Sequence, residues 1–534
     1  MAEAERPRGF LGFVERAGNR LPDPVFIFFW LIGLLVAFSV VASLTGYSAL
    51  HPTERDEAGA PALITAASLL SPENIQRLWV DMPETFTHFH PLGYVLVVML
   101  GAGVAERAGL FASAMRAGVR NAPKFLLTPA VAFVGMMGNL AADAAYVVLI
   151  PLAAVLYAAA GRHPVAGITA AFAGVSGGFS ANLLPGQLDA LLFGITQAAV
   201  DSSSLHPGWT ANIAGNWYFI AAMLIVFLPV IWFVTDAIVE PRLKRFSPPD
   251  GEAMANLGDA NAPLTAGEKK GLGAAGFWTL AIIALWAAFV FMPGTPLIDE
   301  EAENPEARLT PFYQSLVAGF FLLFLVTGWA YGAAAGTVKN HRDVVKMMSG
   351  AMGDLAYYLV LAFAAAHFVA MFNWSNLGLI FAVQGAGAIE RSGLPLPALL
   401  VLIVAFTAFI NLFIGSASAK WALLAPVVVP MLMLLGVSPE MSTAAYRVGD
   451  SVTNIITPLM VYFPLVLTFC QRWRTDFGLG SLTAVMLPYS FWLLLIGLGL
   501  TFAWVYVDLP LGPGAGVDYA LPANPPPAPP APAP

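Results

Sequence analysis

Five ionisable residues stand in stretches otherwise apolar enough to sit in lipid: Asp143, Asp189, Lys420, Arg447 and Asp450. A charge at such depth is costly and by default marks a route for ions or substrate. Arg447 and Asp450 are three apart and so share one helix face, which leaves two readings. They pair with each other, or they act separately, with the planar guanidinium clamping two oxygens of a substrate carboxylate and Asp450 serving as cation ligand or proton acceptor. Lys420 either belongs to this set or snorkels its ammonium toward water.

Four amides accompany these charges. Asn139, Asn182, Asn411 and Asn454 stand beside Gly and Ser residues, where they either cap interrupted helices or join Asp450 and exposed backbone carbonyls in an oxygen cage for Na⁺. Interrupted helices also aim N-termini, and with them partial positive charge, at an anionic ligand. Ser418 offers a hydroxyl, and Trp421 either a flat face for an aromatic ring or ordinary packing. Pro426, Pro430 and Pro439 read as helix punctuation. The histidines lack metal-ligand spacing, and Cys470 is the only cysteine, so no disulfide framework, cysteine metal site or organic cofactor is expected.

The elements that position these groups come twice. Asn139, Asp143, Pro151, Thr169-Ala-Ala-Phe172, Asn182 and Pro185 follow the order of Asn411, Pro426, Thr443-Ala-Ala-Tyr446, Asn454 and Pro458. Upstream, Gly101-Ala-Gly-Val-Ala-Glu106-Arg107-Ala-Gly109-Leu110 matches Gly385-Ala-Gly-Ala-Ile-Glu390-Arg391-Ser-Gly393-Leu394. Two copies of a unit with interrupted membrane segments indicate a secondary transporter whose site lies between its repeats.

Composition sets the surroundings. With 58% hydrophobic and 11% charged residues among 534, and a mean hydropathy of +0.73, the chain is a polytopic membrane protein rather than a soluble globule. A net charge of -8 excludes a nucleic-acid partner. The expected fold is all-α, with about nine transmembrane helices plus two opposed re-entrant hairpins in inverted-topology repeats. Arginines before the first span place residues 1–24 in the cytoplasm.

Residues 25–240 then form the first repeat, with a re-entrant hairpin at 125–160 and a broken helix at 165–200. A cytoplasmic linker and connecting span occupy 241–310. Residues 311–507 form the second repeat, with a hairpin at 396–435 and a broken helix at 441–469. In this count 347–373 is interfacial, although 357–371 is apolar enough to span. The Pro/Ala-rich tail, 508–534, is expected to be disordered.

The segments Gly138-Asn139-Leu-Ala-Ala-Asp143-Ala-Ala-Tyr-Val-Val-Leu-Ile-Pro151, Ser416-Ala-Ser418-Ala-Lys-Trp421-Ala-Leu-Leu-Ala-Pro426 and Ala445-Tyr446-Arg447-Val-Gly-Asp450-Ser-Val-Thr-Asn454-Ile-Ile-Thr-Pro458-Leu carry a resemblance. Over 24–507 the chain resembles the AbgT family, aminobenzoyl-glutamate transporters of the ion-transporter superfamily. The resemblance implies a homodimer in a bacterial inner membrane, with an inner core for substrate and an outer scaffold that dimerises. It also implies folate-related cargo: p-aminobenzoyl-glutamate, p-aminobenzoate and the sulfonamide antimetabolites that mimic the latter. By position it assigns Asp189, Ser418, Trp421, Pro439, Arg447 and Asp450 to the substrate path and coupling, and Asn411 with Asp450 to part of a Na⁺ site.

The reading is therefore a transporter, not an enzyme, driven by H⁺, Na⁺ or both. A dicarboxylate or other organic-anion transporter of the same superfamily is the nearer alternative, and Trp421 argues against it. An intramembrane aspartyl protease built on Asp143, Asp189 and Asp450 is the remote one. It lacks a reason for two repeats and a Gly-x-Gly-Asp pattern.

Overall fold

In lipid, each backbone N–H and C=O must find its partner within the protein, and the helix satisfies that need segment by segment. The computed structural model describes the chain except for residues 1–23, 56–60, 121–122, 142–143, 204, 207, 244–262, 293, 295, 301–306, 458, 461 and 521–534. Asp143 and Pro458 therefore lie outside the described residues, as do most of the N-terminus and of the central linker.

Helix α1 (Pro24–Thr45) leads into one antiparallel hairpin, β1 (Ser48–Arg55) with β2 (Pro61–Thr65), and the short helices α2 (Pro72–Val80) and α3 (Met82–Thr87). Helices α4 (His90–Ala108) and α5 (Leu110–Arg120) follow, bent by 65° at Gly109. Next come α6 (Leu127–Met137), α7 (Ala144–Ala159), α8 (Pro164–Phe172), α9 (Gln187–Ser203) and α10 (Trp217–Phe233). Beyond the linker lie α11 (Ala266–Phe291), α12 (Leu316–Ala335), α13 (His341–Asp354), α14 (Ala356–Trp374) and α15 (Leu377–Ser392). The last elements are α16 (Leu396–Asn411), α17 (Ala417–Leu434), α18 (Pro439–Val452), α19 (Phe463–Trp473) and α20 (Leu479–Val507).

Among the described residues, seven helices are long and apolar enough to cross a membrane, or eight if the bent α4–α5 pair counts as one span. The exposed side chains on α11, among them Phe277, Leu280 and Phe291, make a wall that only lipid or another apolar surface can cover. The chain is thus an all-α polytopic membrane protein.

The two repeats are visible in local geometry. Helices α4 and α15 both end at a Glu-Arg-x-Gly segment, and the Gly109 and Gly393 that terminate them take positive φ of 94° and 66°, the left-handed conformation only glycine adopts at little cost. Each repeat then has a helix, a polar break and a second helix. In the first, α6 and α7 flank a 3₁₀ turn at Gly138–Ala141. In the second, α16 and α17 flank 412–416, where the Ser416 hydroxyl accepts the Ala419 N–H at 3.3 Å as N-cap.

The helix that follows is interrupted in both repeats. Helix α8 passes through a π-helical turn, Ala173–Gly177, into the irregular stretch 178–186 before α9. Helix α18 starts from Ser438, whose hydroxyl caps the Met441 N–H at 3.0 Å, with Pro439 at N1, and unwinds after Val452 before α19.

Two expectations need correction. The stretch 347–373 is not one interfacial segment: α13 ends at Asp354 and α14 runs unbroken for 19 residues. The tail is not disordered from 508. Residues 508–520 form a strap over the start of α18: Ser438 donates its N–H to the Val517 carbonyl at 2.9 Å, Tyr519 donates to Gly436 at 2.7 Å, and Asn212 Nδ2 donates to Pro513 at 2.7 Å. Leu511 and Val517 are buried beneath it; apolar residues among the prolines give the strap something to bury.

Candidate transport site at the crossing of the broken helices

All 14 residues of α18 are buried although the helix carries Ser442, Thr443, Arg447, Asp450 and Ser451. Polar groups so placed require partners, and those partners define the site. Arg447 reaches α9: its Nη2 donates to Asp189 Oδ1 at 2.6 Å. Asp189 sits in the first turn of α9 and its other oxygen accepts the Gly186 N–H at 2.7 Å, so one carboxylate closes a helix start and holds a guanidinium. Arg447 Nε is buried and has no hydrogen-bond partner.

Asp450 turns the other way. Its Oδ1 lies 2.6 Å from Lys420 Nζ on α17, and Lys420 also donates to Asn411 Oδ1. The mutual Arg447–Asp450 pair does not form, because each residue meets an opposite charge on a different neighbouring helix. Lys420 does not snorkel either: it is 0% exposed and held by two acceptors. Burying these pairs is tolerable only because the partner charges and hydrogen bonds are supplied together.

Aromatic rings complete the junction. Trp421 stacks on Tyr446 with ring centroids 4.4 Å apart, and its Nε1 donates to Thr196 Oγ1 at 2.9 Å. Thr196 also shares a 2.9 Å hydroxyl contact with Thr443. The Tyr446 hydroxyl donates to the Ala417 carbonyl at 2.6 Å. Asp189 and Thr196 are two turns apart on one face of α9, so α9, α17 and α18 meet along a line that holds Arg447, the Trp421–Tyr446 stack and Lys420.

The amides stitch the repeats together. Asn411 Nδ2 donates to the Asp450 carbonyl (2.7 Å), Thr453 Oγ1 (2.9 Å) and Asn454 Oδ1 (2.8 Å). Asn454 Nδ2 crosses to the Ser176 carbonyl at 3.5 Å, and Ser451 Oγ accepts the Ser180 N–H at 3.1 Å. In the first repeat, Asn139 Nδ2 donates to the Met136 and Gly178 carbonyls, and Asn182 Nδ2 to Met136. A continuous chain of contacts therefore runs from the break at Asn139 to the break at Asn411.

The two halves differ as cation sites. Asn139 Oδ1, Ser176 Oγ and Ser180 Oγ are buried oxygens without a partner, all in the two segments that meet at Asn139. In the second repeat Lys420 engages Asn411 Oδ1 and Asp450 Oδ1, and Asn411 Nδ2 engages Asn454 Oδ1.

Not every expected residue joins the junction. Ser418, half-buried, lies beside the N-cap with its hydroxyl 3.3 Å from that of Ser416. Pro439 starts α18, eight residues and about 12 Å of helix from Arg447. Trp421 is 1% exposed, so its face is covered by Tyr446 in this state. Thr196 escaped sequence reading; its only signal was a hydroxyl seven residues after Asp189 in an apolar run. Asp189 and Asp450 are bound to different cations, so they do not form the proton-sharing pair that an aspartyl protease requires.

Interrupted helices from two corresponding units, converging on buried charges inside an apolar shell, make a membrane transporter. The chain belongs to the AbgT family: the pattern of the AbgT putative transporter family matches residues 9–519. It is 36% identical over 504 residues to the p-aminobenzoyl-glutamate transport protein of Escherichia coli (strain K12), covering 94% of this chain and 96% of that one. Its fold is similar to the Alcanivorax borkumensis YdaH transporter (42% identity, TM-score 0.85, covering 92% of this chain and all of that one). It is likewise similar to Neisseria gonorrhoeae MtrF, described with a class of antimetabolite efflux pumps (42% identity, TM-score 0.87, 95% of this chain and all of that one).

Proposed function

We propose that this protein is a cation-coupled secondary transporter of p-aminobenzoyl-glutamate, p-aminobenzoate and antimetabolites shaped like them, such as sulfonamides. The Arg447–Asp189 pair carries the reading. A planar cation held by a single carboxylate, with Nε unpaired, can exchange that carboxylate for one on a substrate. The Trp421–Tyr446 stack joins α17 to α18 beside Arg447, where opening would offer a ring face to an aminobenzoyl group, and Ser418 supplies a hydroxyl at the start of α17.

Displacement gives coupling a physical basis. Asp189 released from Arg447 inside the protein is an unpaired buried carboxylate, and such a group takes up a proton. Each charge moved across the membrane supplies roughly 2.3 kcal/mol per 100 mV. Na⁺ would be held by Asn139 with Ser176 and Ser180, and Asn182 holds the same tip in place. The two helix–break–helix units enter from opposite leaflets of a bacterial inner membrane, the N-terminus is cytoplasmic, and the protein works as a homodimer.

Flux of labelled p-aminobenzoate and p-aminobenzoyl-glutamate in proteoliposomes under imposed H⁺ and Na⁺ gradients tests the reading. Flux should follow a gradient and vanish in Arg447→Ala. Gradient-independent flux, or competition by succinate alone, would remove it.

A further inference from the structure

Lys420 is a buried ionic group for which this transport reading has no task, and its surroundings give it one. Its ammonium is fully buried, 2.6 Å from Asp450 Oδ1, hydrogen-bonded to Asn411 Oδ1 and 5.9 Å from the Tyr446 ring centroid, whose π face favours a cation. The Asn411 amide is oriented by its other end: Nδ2 donates to the Asp450 carbonyl, Thr453 and Asn454, which leaves Oδ1 to face the ammonium.

A sodium ion at this position would need the oxygens that Lys420 holds and would sit beside a like charge at close range in a medium that screens poorly. The first repeat provides the contrast. The correspondence of Pro151 with Pro426 sets Ala145 opposite Lys420, and in that repeat Asn139 Oδ1, Ser176 Oγ and Ser180 Oγ have no hydrogen-bond partner.

We infer that the Lys420 ammonium is a built-in cation that fills the Asn411–Asp450 position, so that Na⁺ does not bind in the second repeat. The inference deepens the transport reading by restricting where a coupling cation acts. Asp450 keeps a balanced charge through the cycle without drawing an ion from either side, and Lys420 becomes a positioning residue that holds α17 to α18.

Thermal unfolding of the detergent-solubilised full chain, in NaCl against choline chloride at equal ionic strength, tests it without any transport step. In the wild type, no sodium-specific rise in midpoint should depend on Asp450. In Lys420→Met, Asp450 and Asn411 lose their cation, and a saturable sodium-specific rise should appear that the Lys420→Met/Asp450→Asn double variant lacks. A saturable sodium-specific rise in the wild type that Asp450→Asn abolishes overturns the inference, as does a folded Lys420→Met with equal midpoints in both salts. Where Lys420→Met does not fold, the wild-type and Asp450→Asn arms decide alone, and Lys420→Arg, which keeps a cation in place, should match the wild type in both salts. Loss of flux dependence on any gradient would remove the transport reading and leave these midpoints unchanged.

Discussion

Arg447 and Asp189 are 258 residues apart in sequence, and their side chains meet at 2.6 Å inside the protein. One belongs to the broken helix of the second repeat and the other to the second half of the broken helix of the first. Any movement of one repeat against the other has to act on this contact, which is why it is a suitable place for substrate to intervene.

Removing one partner should cost far more than removing both. Arg447→Ala leaves Asp189 buried without a counter-ion and should destabilise by about 3–5 kcal/mol, whereas an apolar pair such as Arg447→Met with Asp189→Leu should recover most of that loss. Transport should be absent in both. Thermal unfolding and flux measured on the same preparations separate the two effects.

Trp421 combines a stack and a hydrogen bond. Trp421→Phe loses the donor to Thr196, a loss of about 1 kcal/mol, and should keep affinity for an aromatic substrate. Trp421→Ala opens a cavity worth about 3–5 kcal/mol and should weaken binding of p-aminobenzoate far more than binding of a dicarboxylate. Calorimetric titration with the two ligands gives the comparison.

Helix α18 can approach α16 only because residue 449 has no side chain. A Cβ at Gly449 would lie 2.4 Å from the Val404 carbonyl oxygen and 2.6 Å from Thr407 Cβ. Gly449→Ala should therefore separate the hairpin from the broken helix, costing about 1–3 kcal/mol and nearly all transport, while the exposed-side change Gly480→Ala, which meets nothing, should leave both intact.

The strap predicts an asymmetric truncation series. Ending the chain at 520 keeps the bonds that Ser438 and Asn212 donate and the one that Gly436 accepts and should leave the unfolding midpoint unchanged. Ending it at 507 removes the buried Leu511 and Val517 and frees the start of α18, so the midpoint should fall and protease sensitivity near 208–216 should rise.

Much of this junction was legible in the sequence. Charges and amides in apolar stretches have few tolerable roles, so Asp189, Lys420, Arg447, Asp450 and the four asparagines stand out, and the matched Gly-Ala-Gly and Thr-Ala-Ala segments disclose the repeat. Pairing was not legible. Spacing places Arg447 and Asp450 on one face, but a helix face says nothing about which neighbouring helix packs there, and tertiary packing assigned each a different partner. The same limit hid Thr196, whose role depends on a tryptophan 225 residues away, and the strap, whose composition suggested disorder while its few apolar residues found a groove.

The central claim is that a substrate carboxylate takes the place of Asp189 on Arg447. Its most direct test is the affinity of the solubilised protein for p-aminobenzoate in three forms: wild type, Asp189→Asn and Arg447→Gln. Without the competing carboxylate, Asp189→Asn should bind about tenfold more tightly, equivalent to about 1.4 kcal/mol, and Arg447→Gln should not bind measurably. Unchanged affinity in Arg447→Gln, together with equal or weaker affinity in Asp189→Asn, would contradict the account.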